Sequence, residues 1–226
     1  LVNGQYTTLQ GMAIYNASDA AVNIYDGGNN VVKGCYIGIT SSGIRNTTYP
    51  EANIEGIIIG GSGTDASPDN IIGGTTNADR NIITGGVHIY GNGSRRNKIY
   101  GNYIGTDITG DTAIDRNTAG IMIYDSASYN QVGGSQQAMG NLISGNDDYG
   151  VVIYGSGTGY NIVENNYIGV KSDLQSSLDN GLYQIRMYSG THHNQIGTAN
   201  SGNVIGTASQ AIIVVDDSPN NSIQGN

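Results

Sequence analysis

Three aspartates, Asp107, Asp111 and Asp115, recur every four residues in the stretch GTDITGDTAIDRN. Carboxylates so close in one loop could converge on Ca2+, a hard cation that favours several oxygen ligands. They could equally be turn formers, because Asp readily bonds backbone groups two residues on. Other acids come as the dipeptides Asp147/Asp148 and Asp216/Asp217; His192 and His193 share a turn, and His88 lies among apolar residues. Cleaving a glycosidic bond by hydrolysis needs two carboxyl groups across it, and elimination needs a base beside a neutralised carboxylate. No acid and histidine stand at a spacing that unites them, so no catalytic residue is assigned. No cofactor is expected beyond Ca2+ at the aspartate loop.

The elements that carry these residues form a repeat. The segment GIMIY at Gly120 returns as AVNIY at Ala21, GIIIG at Gly56, GVHIY at Gly86, GVVIY at Gly150, GLYQIRMY at Gly181 and AIIVV at Ala211. The interval is about 30 to 35 residues, the signature of a solenoid. Each repeat holds three short segments of alternating apolar and polar residues, bounded by Gly, Asn, Asp and Ser, which read as strands. Helix is excluded because β-branched residues fill the apolar positions and no window repeats at three to four residues. Phe and Trp are absent and Gly numbers 36, so the interior is narrow and aliphatic. The expected fold is all-β: a right-handed, single-stranded parallel β-helix of three sheets and about seven coils, a rod on the order of 30 Å long. The chain opens at Leu1 without Met and stops in mid-repeat at NSIQGN. It therefore reads as one β-helix domain over 1–226, a piece of a longer protein, with 1–20 a partial coil or cap.

Asn opens the second segment of every coil (Asn30, Asn70, Asn97, Asn130, Asn161, Asn194, Asn221) and the third in most (Asn81, Asn102, Asn141, Asn166, Asn203, Asn226). Stacked amides bond along the axis, each donating to one neighbour and accepting from the other, so two asparagine ladders are expected. Cys35 takes the first place of the second ladder and reads as a small structural residue there.

Alternation assigns the faces. In the first segments the inward pairs run from Val22/Ile24 through Ile121/Ile123 to Ile212/Val214. The outward rows are Asn23, Ile58, His88, Met122, Val152, Tyr183, Ile213 and Tyr25, Gly60, Tyr90, Tyr124, Tyr154, Tyr188, Val215, without Asp, Glu or Lys. In the third segments the outward row is Tyr36, Ile82, Tyr103, Leu142, Tyr167, Val204, with Tyr in every second coil. Those same coils carry long loops, Ser41–Glu55, Asp107–Ala119 and Lys171–Asn180. Contiguous apolar stripes on a surface mark contact, unless loops fold back over them. The candidate binding residues are Tyr36, Tyr90, Tyr103, Met122, Tyr124, Leu142, Tyr154 and Tyr167.

With 9 Lys+Arg against 18 Asp+Glu, the net charge of -9 disfavours nucleic acid and anionic membranes, and no apolar run is long enough to span a bilayer. The expected partners are a glycan stacked on the Tyr rings, not an anionic one given the surrounding acids, or another copy of the chain. Sequons at Asn16, Asn46, Asn92 and Asn220 permit glycosylation in a secretory system.

The phrase NKIYGNYIGTDITG at Asn97–Gly110, with GIxIY and NxISGN, resembles the right-handed parallel β-helix repeats of the pectate-lyase-like superfamily, over about Ala21–Asn226. The resemblance implies the fold, and a choice among polysaccharide lyases, hydrolases or epimerases, phage tailspike-like glycan binders, and secreted or surface adhesive proteins. Asp147/Asp148 and Asp216/Asp217 match the paired acids of pectin-type hydrolases only as dipeptides; the accompanying signatures are missing. The expectation is a non-catalytic extracellular or cell-surface β-helix acting in adhesion or lateral assembly. The alternative is a carbohydrate-active enzyme.

Overall fold

The computed structural model describes residues 3–43, 55–64, 66–114 and 117–226. Among these, every named strand pairs in parallel with its counterpart one coil away, giving three sheets of seven, eight and seven strands. Sheet 1 stacks Ala20–Tyr25, Glu55–Gly60, Val87–Tyr90, Ala119–Tyr124, Tyr149–Tyr154, Tyr183–Tyr188 and Ala211–Asp216. Sheet 2 runs from Thr8–Gln10 through Lys98–Tyr100 to Ser222–Ile223, and sheet 3 from Ala13–Ile14 through Tyr103–Ile104 to Val204–Ile205. The chain is a right-handed parallel β-helix, the hand that right-twisted strands impose on parallel crossovers. Thr8–Gln10 pairs with Val31–Lys33 and Ala13–Ile14 with Tyr36–Ile37, so residues 8–14 supply two strands of a coil that precedes the first regular one.

The interior consists of aliphatic columns. Val22, Ile57, Val87, Ile121, Val151 and Ile185 stack by register, as do Val32, Ile72, Ile99, Val132, Val163 and Ile196 on sheet 2 and Ile37, Ile83, Ile104, Ile143 and Ile168 on sheet 3. Each fully buried side chain contributes about 1.5–3 kcal/mol, and neighbouring coils share the benefit without a globular centre.

Both asparagine ladders form. Along the first, Asn97 Nδ2 donates to Asn130 Oδ1, Asn130 Nδ2 to Asn161 Oδ1 and Asn161 Nδ2 to Asn194 Oδ1, each at 3.0 Å. The same oxygens accept a backbone N–H from the coil before, as from Asn97 N to Asn130 Oδ1 at 3.0 Å. The second ladder repeats this from Asn81 to Asn226, and Cys35 heads it, its N–H donating to Asn81 Oδ1 at 2.9 Å. A third, shorter pairing at the remaining corner links Asn146 to Asn180 at 2.7 Å. Asn180 Nδ2 in turn donates at 2.6 Å to the buried Gln184.

The last strand of sheet 1 departs from the sequence assignment by one residue. Ile185 faces Ile213, Arg186 faces Val214, Met187 faces Val215 and Tyr188 faces Asp216. Ile213 and Val215 therefore continue the inward columns in place of Ile212 and Val214, and a one-residue slip exchanges the faces. Arg186 stands in the outward row where Tyr183 was expected, and Asp216 closes the tyrosine row, so that face does carry charge. Tyr183 belongs to a third outward row with Tyr149 and Ala211.

Candidate functional site

On sheet 3 the outward row has the register expected: Tyr36, Ile82, Tyr103, Leu142, Tyr167, Val204. The three tyrosines are half-buried ridges, while Ile82 and Leu142 lie low between them at 4 % and 2 % exposure. Leu142, assigned from alternation as exposed, is buried. Alternation fixes the side of the sheet but says nothing of what lies over it.

Two walls make this row the floor of a groove. On one side, coils whose second strand ends in Gly-Gly swing out into single 3-10 turns, Asn77–Asp79 and Gln137–Met139. On the other, two of the long loops are hairpins, closed by antiparallel bridges Thr106–Ala113 and Val170–Ser177, while most of Ser41–Glu55 lies outside the described residues. The hairpins touch although their coils are two layers apart: Ser172 N–H donates to Gly110 O at 3.1 Å and Ser172 Oγ to Asp111 Oδ1 at 2.8 Å. Gly110 has φ +75°, and a Cβ there would stand 2.7 Å from Leu142 and 2.9 Å from Tyr103, so only glycine lets the hairpin lean this far onto the floor. Two cavities of about 200 and about 240 Å³ follow the row and share Asn77 and Arg80. The Arg80 guanidinium lies 4.1 Å above the Tyr103 ring. Its Nε donates to Gly101 O at 3.3 Å and its Nη2 to Asn77 Oδ1 at 3.0 Å. Beside it Lys33 and Asp79 pair at 3.0 Å.

The candidate Ca2+ aspartates are committed to these turns. Asp107 Oδ1 accepts from Thr109 Oγ1 at 2.7 Å and from the N–H groups of Asp111 and Thr112 at 3.3 Å. Partial burial raises its pKa, but these bonds and that from Gly110 outweigh it and hold the carboxyl below its usual range. Asp111 instead braces Ser172, so the two carboxylates do not converge; Asp115 lies outside the described residues. Asp173 plays the Asp107 part in the next hairpin, its pKa drawn down to about 2 by the N–H groups of Ser176 and Gln175 and the Ser176 hydroxyl. Among the described residues no group of three or more His, Cys, Asp or Glu could hold a metal ion.

The other candidates lie on sheet 1, apart from the groove. Tyr90, Tyr124 and Tyr154, joined by Tyr188, stack ring on ring at 5.6, 5.0 and 5.2 Å. The rings lean over the middle row: Tyr154 OH reaches Met122 Sδ at 3.6 Å, and Val152 is only 1 % exposed though it points outward. This face thus wears an outer layer of its own. At one end Arg186 lies over Tyr188 and Tyr183, at 4.5 and 5.2 Å, and donates to Tyr149 OH at 3.2 Å. At the other Glu55 pairs with His88 at 3.3 Å, and that hydrogen bond holds its pKa down.

Burial, with neighbouring Tyr154, Glu55, Tyr90 and Asp125 adding, pushes the Tyr124 phenol up to about 12, and burial raises Tyr90, Tyr154 and Tyr188 too. An unfolded chain releases these protons near pH 10 while the stack keeps them. Stability is therefore whole below pH 10 and falls as pH rises through the window to about 12. Absorbance titration of phenolate should show late-ionising tyrosines whose transition coincides with loss of the β signal. Ionisation of all tyrosines at the free-phenol pKa with the fold intact would contradict the stack.

Three features escaped the sequence reading. Arg80 is one, and the Gly-Gly positions that launch the 3-10 walls are another. The third is a corner column one residue before the first ladder, where Tyr129, Tyr160 and His193 all have φ near +57° (58°, 58° and 56°). Their rings stack at 4.9 and 5.0 Å, with Tyr129 and Tyr160 exposed at 55 % and 42 %. Bulky residues directly before a ladder Asn were the available signal. The sequon residues Asn16, Asn92 and Asn220 are exposed, and Asn46 lies outside the described residues. No helix of the described residues is long and apolar enough to cross a membrane.

Comparison with protein-family models, with curated proteins and with solved structures finds no match for this chain.

Proposed function

We propose that this β-helix is a non-catalytic segment of an extracellular or cell-surface protein, of the pectate-lyase-like repeat kind its NxIxGNYIGTD phrase resembles, acting in adhesion or lateral assembly through its outer faces. The observation that carries this reading is the walled groove on sheet 3, where tyrosine ridges and aliphatic hollows alternate along the axis. Half-buried aromatic ridges repeated at every second coil between polar walls offer a partner a series of apolar contacts. The reading as a carbohydrate-active enzyme has less support. Glycosidic chemistry asks for two carboxyl groups facing the bond, whereas the described lining of both cavities carries Arg80 as its charged residue.

The test is the double variant Tyr103→Ala/Tyr167→Ala, checked for an unchanged β spectrum. Adhesion to host-cell or matrix-coated surfaces, or self-association followed by concentration-dependent light scattering, should fall by about tenfold or more, as when central aromatic anchors are lost. If the variant adheres and associates as wild type does, the groove is not the contact face. Turnover of an oligosaccharide that a single loop-acid substitution abolishes would replace the proposal with the enzymatic one.

A further inference from the structure

Apart from the groove, we infer that the corner formed by Tyr160, His192 and His193 binds one divalent transition-metal ion, Cu2+ most tightly, through the Nδ1 atoms of the two histidines. Those atoms lie 3.1 Å apart. With metal–nitrogen bonds of about 2.0–2.1 Å, two nitrogens so placed subtend ~98° at an ion between them, close to the cis angle of a square or octahedral shell. A hydrogen bond at this distance requires one Nδ1 to hold a proton and the other to be bare. The ion takes the place of that proton, which settles on Nε2 of the same ring, so the exchange needs no other base.

The fold, more than the dipeptide itself, builds this pair. Neighbouring side chains of an extended segment take opposite sides. At His193 φ is +56°, in the left-handed region that a residue with a Cβ rarely adopts, and this turn brings its ring beside that of His192, with centroids 5.2 Å apart and planes at 82°. Tyr160 of the preceding coil fixes both rings: His193 lies flat on it at 5.0 Å and 11°, and His192 stands edge-on to it at 5.6 Å and 83°. Room for the His192 imidazole comes from Gly159, where a Cβ would lie 2.8 Å from His192 Nδ1. The backbone is held on either side, since His192 N–H donates to Thr158 O at 3.2 Å and the following Asn194 is a buried ladder residue. Tyr160 and His193 are exposed, so an ion reaches the site from solvent, where water completes its shell. Imidazole nitrogen suits Cu2+, Ni2+ and Zn2+ rather than Ca2+ or Mg2+, and affinity for a given nitrogen site peaks at Cu2+. The net charge of -9 favours cations in general, while the two nitrogens decide which.

The experiment is titration of the whole chain with Cu2+, supplied as its glycine complex, followed by tyrosine fluorescence and electron paramagnetic resonance. The chain has no Trp, so an ion held beside Tyr160 quenches a tyrosine signal directly. One Cu2+ per chain should bind, with a two-nitrogen resonance pattern. His192→Gln and His193→Gln should each weaken binding about tenfold or more. His88→Gln, which removes the third histidine of the chain, should leave it unchanged. Gly159→Ala keeps both histidines but crowds His192 Nδ1, and should weaken binding severalfold with the β spectrum intact. Equal binding by the double variant His192→Gln/His193→Gln would mean an adventitious ion only and overturn the site. Single variants that bind as wild type does, or a His88→Gln protein that no longer binds, would overturn it as well. Full-strength binding by Gly159→Ala would overturn the claim that the fold positions the pair. None of these outcomes touches the role of the groove, whose own test is Tyr103→Ala/Tyr167→Ala.

Discussion

Asn130→Ala should lower the unfolding free energy by about 3–4 kcal/mol, the cost of several buried polar groups losing partners together. Asn130 is 1 % exposed, and its Oδ1 takes both the backbone N–H and the side-chain amide of Asn97, each at 3.0 Å. Its Nδ2 donates to Asn161 Oδ1 and to Ser94 O, again at 3.0 Å. Truncation leaves two donors and a carbonyl inside the corner with nothing else in reach. For a chain of this size the loss corresponds to a fall of roughly 10 °C in melting temperature. Asn221→Ala should cost about 1 kcal/mol, since in the last described coil the amide is only partly buried and water can replace what is lost. Asn130→Asp separates packing from polarity. Its carboxylate would turn an oxygen toward Asn161 Oδ1 and Ser94 O, so the folded state favours the protonated acid and raises its pKa. The variant should approach wild-type stability below the ordinary Asp value of about 3.9 and lose ground as pH rises through the raised folded value. Urea unfolding across pH, with hydrogen exchange read coil by coil, would show whether the damage stays near the third and fourth ladder corners, as near-neighbour coupling in a solenoid requires. An Ala variant within 1 kcal/mol of wild type would mean that the ladder only follows the fold.

The ladders and inward columns were legible because each states its rule in many coils: an Asn at every corner, an aliphatic residue at every second position. Legibility failed where local sequence carries no contrast. In Ala211–Val215 five apolar residues run together, alternation is lost, and the register is set by pairing with Tyr183–Tyr188 instead. The tyrosine row on sheet 1 was placed correctly in its middle coils, yet nothing local shows that Tyr154 lies across Met122, since that contact spans two coils. The groove is the same kind of object. Its floor was readable from Tyr36, Tyr103 and Tyr167, but its walls depend on hairpins that fold onto sheet 3 and on Arg80 reaching over Tyr103. The aspartates that looked most like a metal site are what shape one wall: Asp107 closes its hairpin and Asp111 ties it to the next.

Gly133→Ala should be among the most damaging single methyls in the chain, and the reason ties the two-coil period to the groove. Gly133 ends its sheet 2 strand at φ +76°, and an added Cβ would lie 1.9 Å from Glu164 O and 2.7 Å from Asn166 Oδ1. The same crowding recurs at Gly73, 1.9 Å from Tyr100 O, and at Gly197 beside Gln224 and Asn226. In the intervening coils the equivalent positions hold Lys33, Tyr100 and Glu164, and the chain passes straight to the second ladder. The glycine coils take their left-handed step at this last strand position, ahead of the residues of the 3-10 wall, whereas the other coils take it one residue later, at Gly34, Gly101 and Asn165, directly before the ladder. Alanine in the left-handed region costs about 1–2 kcal/mol alone. The clash is with backbone of the next coil, which cannot move without breaking the Asn166 ladder bonds, so a total of about 3 kcal/mol or more is expected. Gly11→Ala supplies the control, since φ there is +67° but nothing lies within 4 Å of the new Cβ, and it should show the conformational cost alone. The two variants compared by urea unfolding, with exchange measured over residues 134–140, give the answer. A Gly133→Ala protein no less stable than Gly11→Ala would show that the wall can form without the left-handed step. A large loss confined to that wall, with binding in the groove lost alongside it, would establish that one glycine in every second coil builds the site.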